Sequence, residues 1–578
     1  MEIVVIFGLN MDDMRDNENT AATLFINADA KGQILVCEEG LSFWGGVDPD
    51  TAKIIDVHHP NYGELVAGKI VMMSSSRGSC SGSGVLLQLA RKGLAPAALI
   101  FWKPESILTL GAIISDRLFS CPVPTIRLPR TLYKALSLAK EAEIKDLTLV
   151  YSKKRIPLSL PSIENLRLTK NDIQMLDGSE GPAKQVAMEV ICLMASIQHA
   201  DELLDVHRAH IDGCILAHNA NLDFAEKMYA MGAGICIPTT INSISVDREN
   251  WQLQGQPVEF GLKASRLADA YVKMGAKPTF TCAPYLLNDP PEKGEVIGWS
   301  ESNAVVFANS VLGAWTEKHP DYLDLFIACT GRAPKAGMYL AKNRLPTCRI
   351  EITLPAHFQD SLWPMLGWLA GTKSPNGIPI IVGLESVQPS QDDLKAFSAS
   401  FGTTSSAAMF YINGHTYDDS FKLPPYLDKF KITLKELKTL WENFNCGSKI
   451  IDLVAIGSPH ASLSECKKFA DLMDGKKCTN ETKTIITVGR KTLNQITENG
   501  VLQKLKKSDV QIIPDICWCS ITEPIFPVET EVVITNSGKY AHYGKALTGR
   551  NFRFGSLEDC AKAAVTGRLS SAPPSWLR

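Results

Sequence analysis

The serine and glycine run Ser74-Ser75-Ser76-Arg77-Gly78-Ser79-Cys80-Ser81-Gly82-Ser83-Gly84 lies between a branched apolar stretch and a short helical one. Glycines let a backbone approach a ligand closely, and the N-terminus of the following helix offers unpaired N–H groups to an anion. The serine hydroxyls add donors and can relay a proton, whereas the bland alternative is a flexible surface loop. No Gly-Lys-Ser/Thr follows, so the run is not a P-loop. Polar clusters close several later apolar segments: His210-Ile211-Asp212-Gly213, Pro238-Thr239-Thr240-Ile241-Asn242, Trp299-Ser300-Glu301-Ser302-Asn303 and Thr330-Gly331-Arg332. Each joins a hydrogen-bonding group to a turn former, as expected where strands deliver residues to a cleft. Taken singly, each also reads as a cap or a turn, and His210 as a structural histidine. In Thr535-Asn536-Ser537-Gly538-Lys539-Tyr540, a lysine flanked by Ser and Gly suits a carboxylate or phosphate, or a solvated turn.

The 15 cysteines are scattered. Cys282 lies in Thr281-Cys282-Ala283-Pro284-Tyr285, Cys329 in Ala328-Cys329-Thr330-Gly331, and Cys517 with Cys519 in Asp515-Ile516-Cys517-Trp518-Cys519. No two have the compact spacing of a zinc ribbon or ferredoxin. They read either as buried thiols or as dispersed ligands of a cluster assembled from several loops.

The elements that must position these residues are those of an α/β protein. Gly32-Gln33-Ile34-Leu35-Val36, Lys69-Ile70-Val71-Met72-Met73 and Ala97-Ala98-Leu99-Ile100-Phe101 predict strands, and Val85-Leu86-Leu87-Gln88-Leu89-Ala90 a short helix. Residues 153–167 are basic, then rich in Leu, Pro and Ser, and read as a linker. The reading is therefore a small domain over 1–150, a linker over 151–166 and a large domain over 167–578. Thr169-Lys170-Asn171-Asp172 resembles a capping box that opens a helix, and Val186, Val190, Leu193, Met194 and Ile197 keep helical spacing.

At 578 residues, with 45% hydrophobic and 21% charged residues, the chain is long enough for two or more folded domains and unlike a disordered one. A net charge of -3 gives no broad reason to bind nucleic acid or an anionic membrane. The opening MEIVVIFGLNMDDM has no basic leader, and no apolar run approaches a membrane span. A cytoplasmic protein with no nucleic-acid or membrane partner is expected.

In sequence order these motifs resemble the aconitase X family from about residue 29 to the C-terminus. The small part matches through Leu41-Ser42-Phe43-Trp44-Gly45-Gly46-Val47-Asp48-Pro49, Arg77-Gly78-Ser79 and Leu110-Gly111-Ala112-Ile113. The large part matches through Met175-Leu176-Asp177-Gly178, His210-Ile211-Asp212-Gly213, Thr240-Ile241-Asn242, Thr281-Cys282-Ala283, Glu301-Ser302-Asn303 and Ser537-Gly538-Lys539. The resemblance implies an aconitase-like multi-layer catalytic domain with a smaller swivelling α/β domain. It also implies an iron–sulfur dehydratase, the cluster 2Fe–2S in preference to 3Fe–4S or 4Fe–4S. Fused single-chain members act on cis-3-hydroxy-L-proline, and this chain is fused. Mevalonate 5-phosphate dehydration, as in the split members, and a non-catalytic cluster-bearing sensor are the alternatives.

Ser458 stands where the split type has a cluster cysteine. Cys282 and Cys517 are carried over as ligands, with Cys329 as the third and Ser458 or Cys519 as its rivals. Ser79 is implied as the base, aided by Arg77 or the helix N-terminus. Lys539 and the backbone around Gly213 and Asn242 are implied to hold the substrate carboxylate. Glu301 and Ser302 would orient the ring nitrogen or hydroxyl, with Ser81, His210, Asp212 and Thr240 completing the binding set. The substrate is a small hydroxy amino acid, the enzyme a monomer, and the product Δ1-pyrroline-2-carboxylate. With Ser79 before the linker and the other candidates after it, the site is expected between the two domains.

Overall fold

The protein is seen in a computed structural model that describes residues 22–77, 79–416, 423–424, 426–570 and 572–578. The opening residues read above for a leader, and Gly78 of the serine and glycine run, lie outside the described residues. The chain divides into a first unit of Met1–Arg77 and Val85–Ile163 and a second of Gly78–Gly84 and Glu164–Arg578. Ser79 and Ser81 therefore group with the second unit.

The first unit is built on eight strands: β1 (Thr23–Leu24), β2 (Ala30–Val36), β3 (Ile70–Met72), β4 (Ala98–Phe101), β5 (Thr125–Arg127), β6 (Glu141–Lys145), β7 (Thr148–Tyr151) and β8 (Lys154–Pro157). Their order is β1-β5-β4-β3-β2-β6-β7-β8. β2 to β5 are parallel, and β3 and β4 are buried at every residue, as strands covered on both faces must be. β6, β7 and β8 form an antiparallel meander. β8 falls within the stretch expected to be linker. Ile156 is buried there while Lys154 and Arg155 are exposed, so the basic residues that suggested a linker instead decorate an edge strand.

Among the described residues the second unit holds three parallel sheets and a small antiparallel pair. In the first parallel sheet, Arg208–Ile211 is flanked by Thr239–Ile241 and Ile297–Trp299. The second has the order Tyr411–Ile412, Pro379–Val382, Cys348–Ile352, Asp428–Ile432. The third runs Gln511–Pro514, Lys483–Val488, Leu453–Ile456, Val532–Thr535, Asn551–Phe554. Phe397, Phe401, Phe410 and Trp363 fill the core on the second sheet, and Val454, Ile456, Ile486 and Ile534 that on the third. Thr169 and Asp172 make the expected capping box, on the helix Lys170–Leu176. The apolar periodicity that follows belongs to a separate helix, Pro182–Ile197, because Gly178 and Gly181 turn the chain at positive φ and Pro182 restarts it. No helix among the described residues is long and apolar enough to cross a membrane.

Candidate active site

Parallel strands deliver the residues just beyond their carboxyl ends to a common crevice. Here Arg208–Ile211 is followed by Asp212, Thr239–Ile241 by Asn242, and Ile297–Trp299 by Ser300 and Glu301. From the third sheet, Leu453–Ile456 leads to Ser458, Gln511–Pro514 to Cys517, and Val532–Thr535 to Ser537 and Lys539. Gly457, at φ +103, makes the turn into Ser458, and a Cβ there would stand 2.3 Å from the Thr487 carbonyl oxygen.

Glu301 and Lys539 form the cationic end. Ser537 caps the helix Gly538–Thr548 by accepting from the Tyr540 N–H at 3.1 Å, which fixes Lys539 in its first turn. Lys539 Nζ reaches Glu301 Oε1 at 3.0 Å. Asn303 Nδ2 donates to the same oxygen at 2.6 Å, and Asn242 Nδ2 to Oε2 at 3.2 Å. Burial pushes the Glu301 pKa up, but Lys539 and these hydrogen bonds prevail and hold it at about 2. Burial pulls Lys539 down, and Glu301 with the three nearby thiols prevails in the other direction. The pair is ionised.

A second cluster is acidic. Asp212 N–H donates to Asp324 Oδ2 at 2.7 Å, and the Asp212 carboxyl accepts from Asn242 Nδ2. Burial first, then Asp321, Glu301 and Asp324, raise Asp212 well above the carboxylate range. Burial also raises Asp321 to about 6 and Asp324 to about 7. His210 is fully buried with Nδ1 2.7 Å from Thr240 Oγ1, and burial lowers it to about 4, so its ring is neutral. Its Nε2 has no hydrogen-bond partner. Gly213 accepts from the Tyr271 hydroxyl at 3.2 Å, and a Cβ there would press on the Tyr322 ring at 3.3 Å.

The serine loop belongs to the same unit. Ser79 Oγ donates to Ser81 Oγ at 3.3 Å and accepts from the Ser81 N–H at 3.3 Å. The Cys80 thiol donates to the Ser300 carbonyl at 3.5 Å. A Cβ on Gly84 would stand 2.7 Å from the Tyr322 hydroxyl, so here the glycine serves close approach of protein to protein.

The thiols form a third group. His460 N–H donates to Cys282 Sγ at 3.3 Å, His460 Nε2 meets the Ile516 carbonyl at 2.9 Å, and Trp518 Nε1 donates to the Ile456 carbonyl at 2.7 Å. These bonds lock the Cys282 turn to the loop 516–519. The Cys517 thiol has Cys282 and Cys519 as neighbours, and Cys282, with burial, pushes its pKa up. No group of three or more His, Cys, Asp or Glu side chains among the described residues stands ready to hold a single metal ion. The donor set nevertheless suits a cluster. Three buried or half-buried thiols are neighbours, a backbone N–H already points at one sulfur, and Lys539 opposes the burial and mutual repulsion that raise Cys517 and Cys519. Ser458 Oγ, buried and without a partner, belongs to the adjacent loop.

Cys329, Asn242 and Arg77 are held by other partners. Cys329 is not among the thiols that act on Cys517. It lies in the helix Leu323–Thr330, its thiol pushed up to about 12 by burial, with Cys236 and Lys184 as its charged neighbours. Cys519, one of its rivals, is the thiol that neighbours Cys517 along with Cys282. The Asn242 N–H donates to the Ile211 carbonyl at 2.9 Å. Its side-chain amide joins Asp212 to Glu301. Arg77 is exposed and spans Glu39 at 3.3 Å and Asp56 at 3.0 Å. The observed support for the Ser79 oxygen is the Ser81 N–H. Ser302 opens the helix Ser302–Phe307, for which Glu301 is the N-cap. Sequence reasoning missed Asp321 and Asp324. Their three-residue spacing in Pro320-Asp321-Tyr322-Leu323-Asp324, just ahead of an apolar helix, was the available signal.

Comparisons with known proteins agree with this layout. Family profiles match as aconitase X swivel domain over residues 20–150, first domain over 165–342, second domain over 346–442 and third domain over 451–566. The chain is 39% identical over 581 residues to a cis-3-hydroxy-L-proline dehydratase of Hypocrea jecorina, covering 97% of this chain and 98% of that one. It is 41% identical over 561 residues to a protein of the same name from Pseudomonas aeruginosa, covering 95% and 97%. The crystal structure of holo aconitase X from Thermococcus kodakaraensis superposes with a TM-score of 0.63 at 30% identity, over 69% of this chain and 100% of that one. With its swivel and three further domains matched in order, and two relatives aligned over nearly their full length, the chain belongs to the aconitase X family.

Proposed function

We propose that this chain is an iron–sulfur-dependent dehydratase of cis-3-hydroxy-L-proline, giving an enamine that tautomerises to Δ1-pyrroline-2-carboxylate. The observation that carries this reading is the near-full-length likeness to two proteins of that name. The site chemistry agrees with it. Cys282, Cys517 and Cys519 would hold the cluster, which when bound supplies a Lewis acid for the departing hydroxyl. Lys539 has three donors and spends one on Glu301, leaving others for a substrate carboxylate. With that charge already half neutralised, a single carboxylate suits it better than a carboxylate together with a phosphate.

In this reading Ser79 takes the C2 proton, and the Ser81 N–H stabilises negative charge as it grows on Ser79 Oγ. Neutral His210 turns its unpartnered Nε2 to the substrate, and Glu301, held ionised, orients the ring nitrogen. The test is an assay of anaerobically purified enzyme with cis-3-hydroxy-L-proline, its trans epimer and mevalonate 5-phosphate. Turnover of the cis epimer alone is expected. Preferential turnover of the phosphorylated compound would overturn the assignment.

A further inference from the structure

Serine is a weak base, and a hydroxyl that accepts a carbon-bound proton must pass its own proton on. We propose that Ser81 and Asp321 form a relay that drains this proton from Ser79, with the Asp321 carboxylate as its terminus; the proposal rests on the dehydratase reading above. The residues are already neighbours. Ser79 Oγ donates to Ser81 Oγ at 3.3 Å, and the Ser81 hydroxyl lies beside the Asp321 carboxyl, where it lowers the acid against its burial. Asp321 N–H donates to the Cys80 carbonyl at 3.4 Å, which holds the backbone of the acid beside the serine loop. Asp321 is buried, and its Oδ1 has no hydrogen-bond partner, so an acceptor position stands open.

The surroundings decide which acid is ionised. Asp212 also hydrogen-bonds Asp321, and two neighbouring buried carboxyls cannot both hold charge cheaply. Burial and like charge raise Asp212 well above its usual range but Asp321 only to about 6. Near neutral pH the pair therefore shares a proton, and the relay is open when the charge rests on Asp321. Glu301 and Asp324 add like charge, while Tyr271, Tyr322, Cys80 and Cys214, all raised by burial, stay neutral.

During turnover the C2–H bond breaks and an O–H bond forms on Ser79, as the Ser79 proton passes to Ser81 and the Ser81 proton to Asp321. The electron pair of the C2–H bond becomes the C2=C3 bond, and the C3 oxygen leaves with its bonding pair as hydroxide. The chain then runs in reverse, Asp321 returning its proton to Ser81, Ser81 passing its own to Ser79 and Ser79 giving the proton taken from C2 to that hydroxide, so one water departs and the enzyme is restored. Asp321 touches neither the substrate nor the reacting atoms; it is a positioning residue that polarises Ser79 through Ser81.

The test is steady-state dehydration of cis-3-hydroxy-L-proline by full-length enzyme as wild type, Asp321→Asn, Asp321→Glu, Ser81→Ala and the double variant Asp321→Asn/Ser81→Ala. Asp321→Asn and Ser81→Ala should each lower kcat by about 100-fold, with KM within about threefold and the visible spectrum unchanged. The double variant should be no slower than the worse single one, since both break one chain. Asp321→Glu should recover part of the loss, and a C2-deuterated substrate should show a larger isotope effect in the impaired variants. Ser81→Ala, less buried than Asp321, keeps the test valid if Asp321→Asn misfolds. A kcat near wild type in Ser81→Ala, or losses that multiply in the double variant, would overturn the relay. Wild-type enzyme inert toward the substrate would overturn the dehydratase reading itself, and the relay with it.

Discussion

Glu301 and Asp321 are carboxylates buried in the same unit, yet burial leaves them at opposite ends of the acid range. Glu301 has Lys539 at 3.0 Å and amide donors from Asn303 and Asn242, and it is held at about 2. Asp321 faces Asp212 and Glu301 and rises to about 6. Desolvation penalises both, and the sign of the neighbour decides the outcome. A site built this way offers a fixed charge at one end and an adjustable proton affinity at the other. These are what carboxylate binding and proton removal respectively require.

The largest effect is expected where the cationic end meets the thiols. Cys519→Ser should abolish bound iron, visible absorbance and activity, whereas Cys329→Ser should keep all three. Full iron content in Cys519→Ser would return the third ligand to Ser458 or Cys329.

Lys539→Met should come next. It leaves Glu301 buried without its counter-charge, which costs about 3–5 kcal/mol in comparable buried pairs. Urea unfolding measures this, and a loss below about 1 kcal/mol would show that the pair is well solvated.

The acidic end predicts a smaller effect of opposite kind. Asp321 and Asp324 have folded pKa values of about 6 and about 7, above the ordinary aspartate value of 3.8. The folded state therefore binds more protons than the unfolded one between those limits. The stability this contributes is present at low pH and lost as pH rises through 6 to 7. Unfolding free energy should fall between about pH 4 and pH 7, by at most about 1.4 kcal/mol per pH unit for each group, and level off above that, and Asp324→Asn should flatten the slope. A stability that rises over this range would contradict the assignment of raised acids. The smallest effect belongs to Arg77→Ala, whose exposed pairs with Glu39 and Asp56 should be worth less than about 1 kcal/mol in thermal unfolding.

Local rules carried the sequence reading where local physics governs. The Thr169 and Asp172 capping box and the strands at Ile70–Met72 and Ala98–Phe101 were legible because caps and all-apolar strands are set by neighbouring residues. The family motifs marked the strand ends that bear Asp212, Asn242, Glu301 and Lys539. Tertiary choices were not legible. Lys154 and Arg155 looked like linker because an edge strand and a linker share basic, soluble residues. Cys329 looked like Cys519 because both flank turn-forming or polar residues, and only the fold shows which one meets Cys517. Asp321 was invisible because its partner Ser81 lies some 240 positions earlier in the chain.

The division of labour between the two ends is tested most directly by comparing steady-state kinetics of Lys539→Met and Asp321→Asn on cis-3-hydroxy-L-proline. Lys539→Met should raise KM by about tenfold or more, because it removes a contact with the bound carboxylate. Asp321→Asn should leave KM within about threefold and lower kcat by about 100-fold, because it acts only as the proton moves. If Lys539→Met left KM unchanged, or Asp321→Asn raised KM while sparing kcat, the charged end and the acidic end would not hold the roles assigned to them.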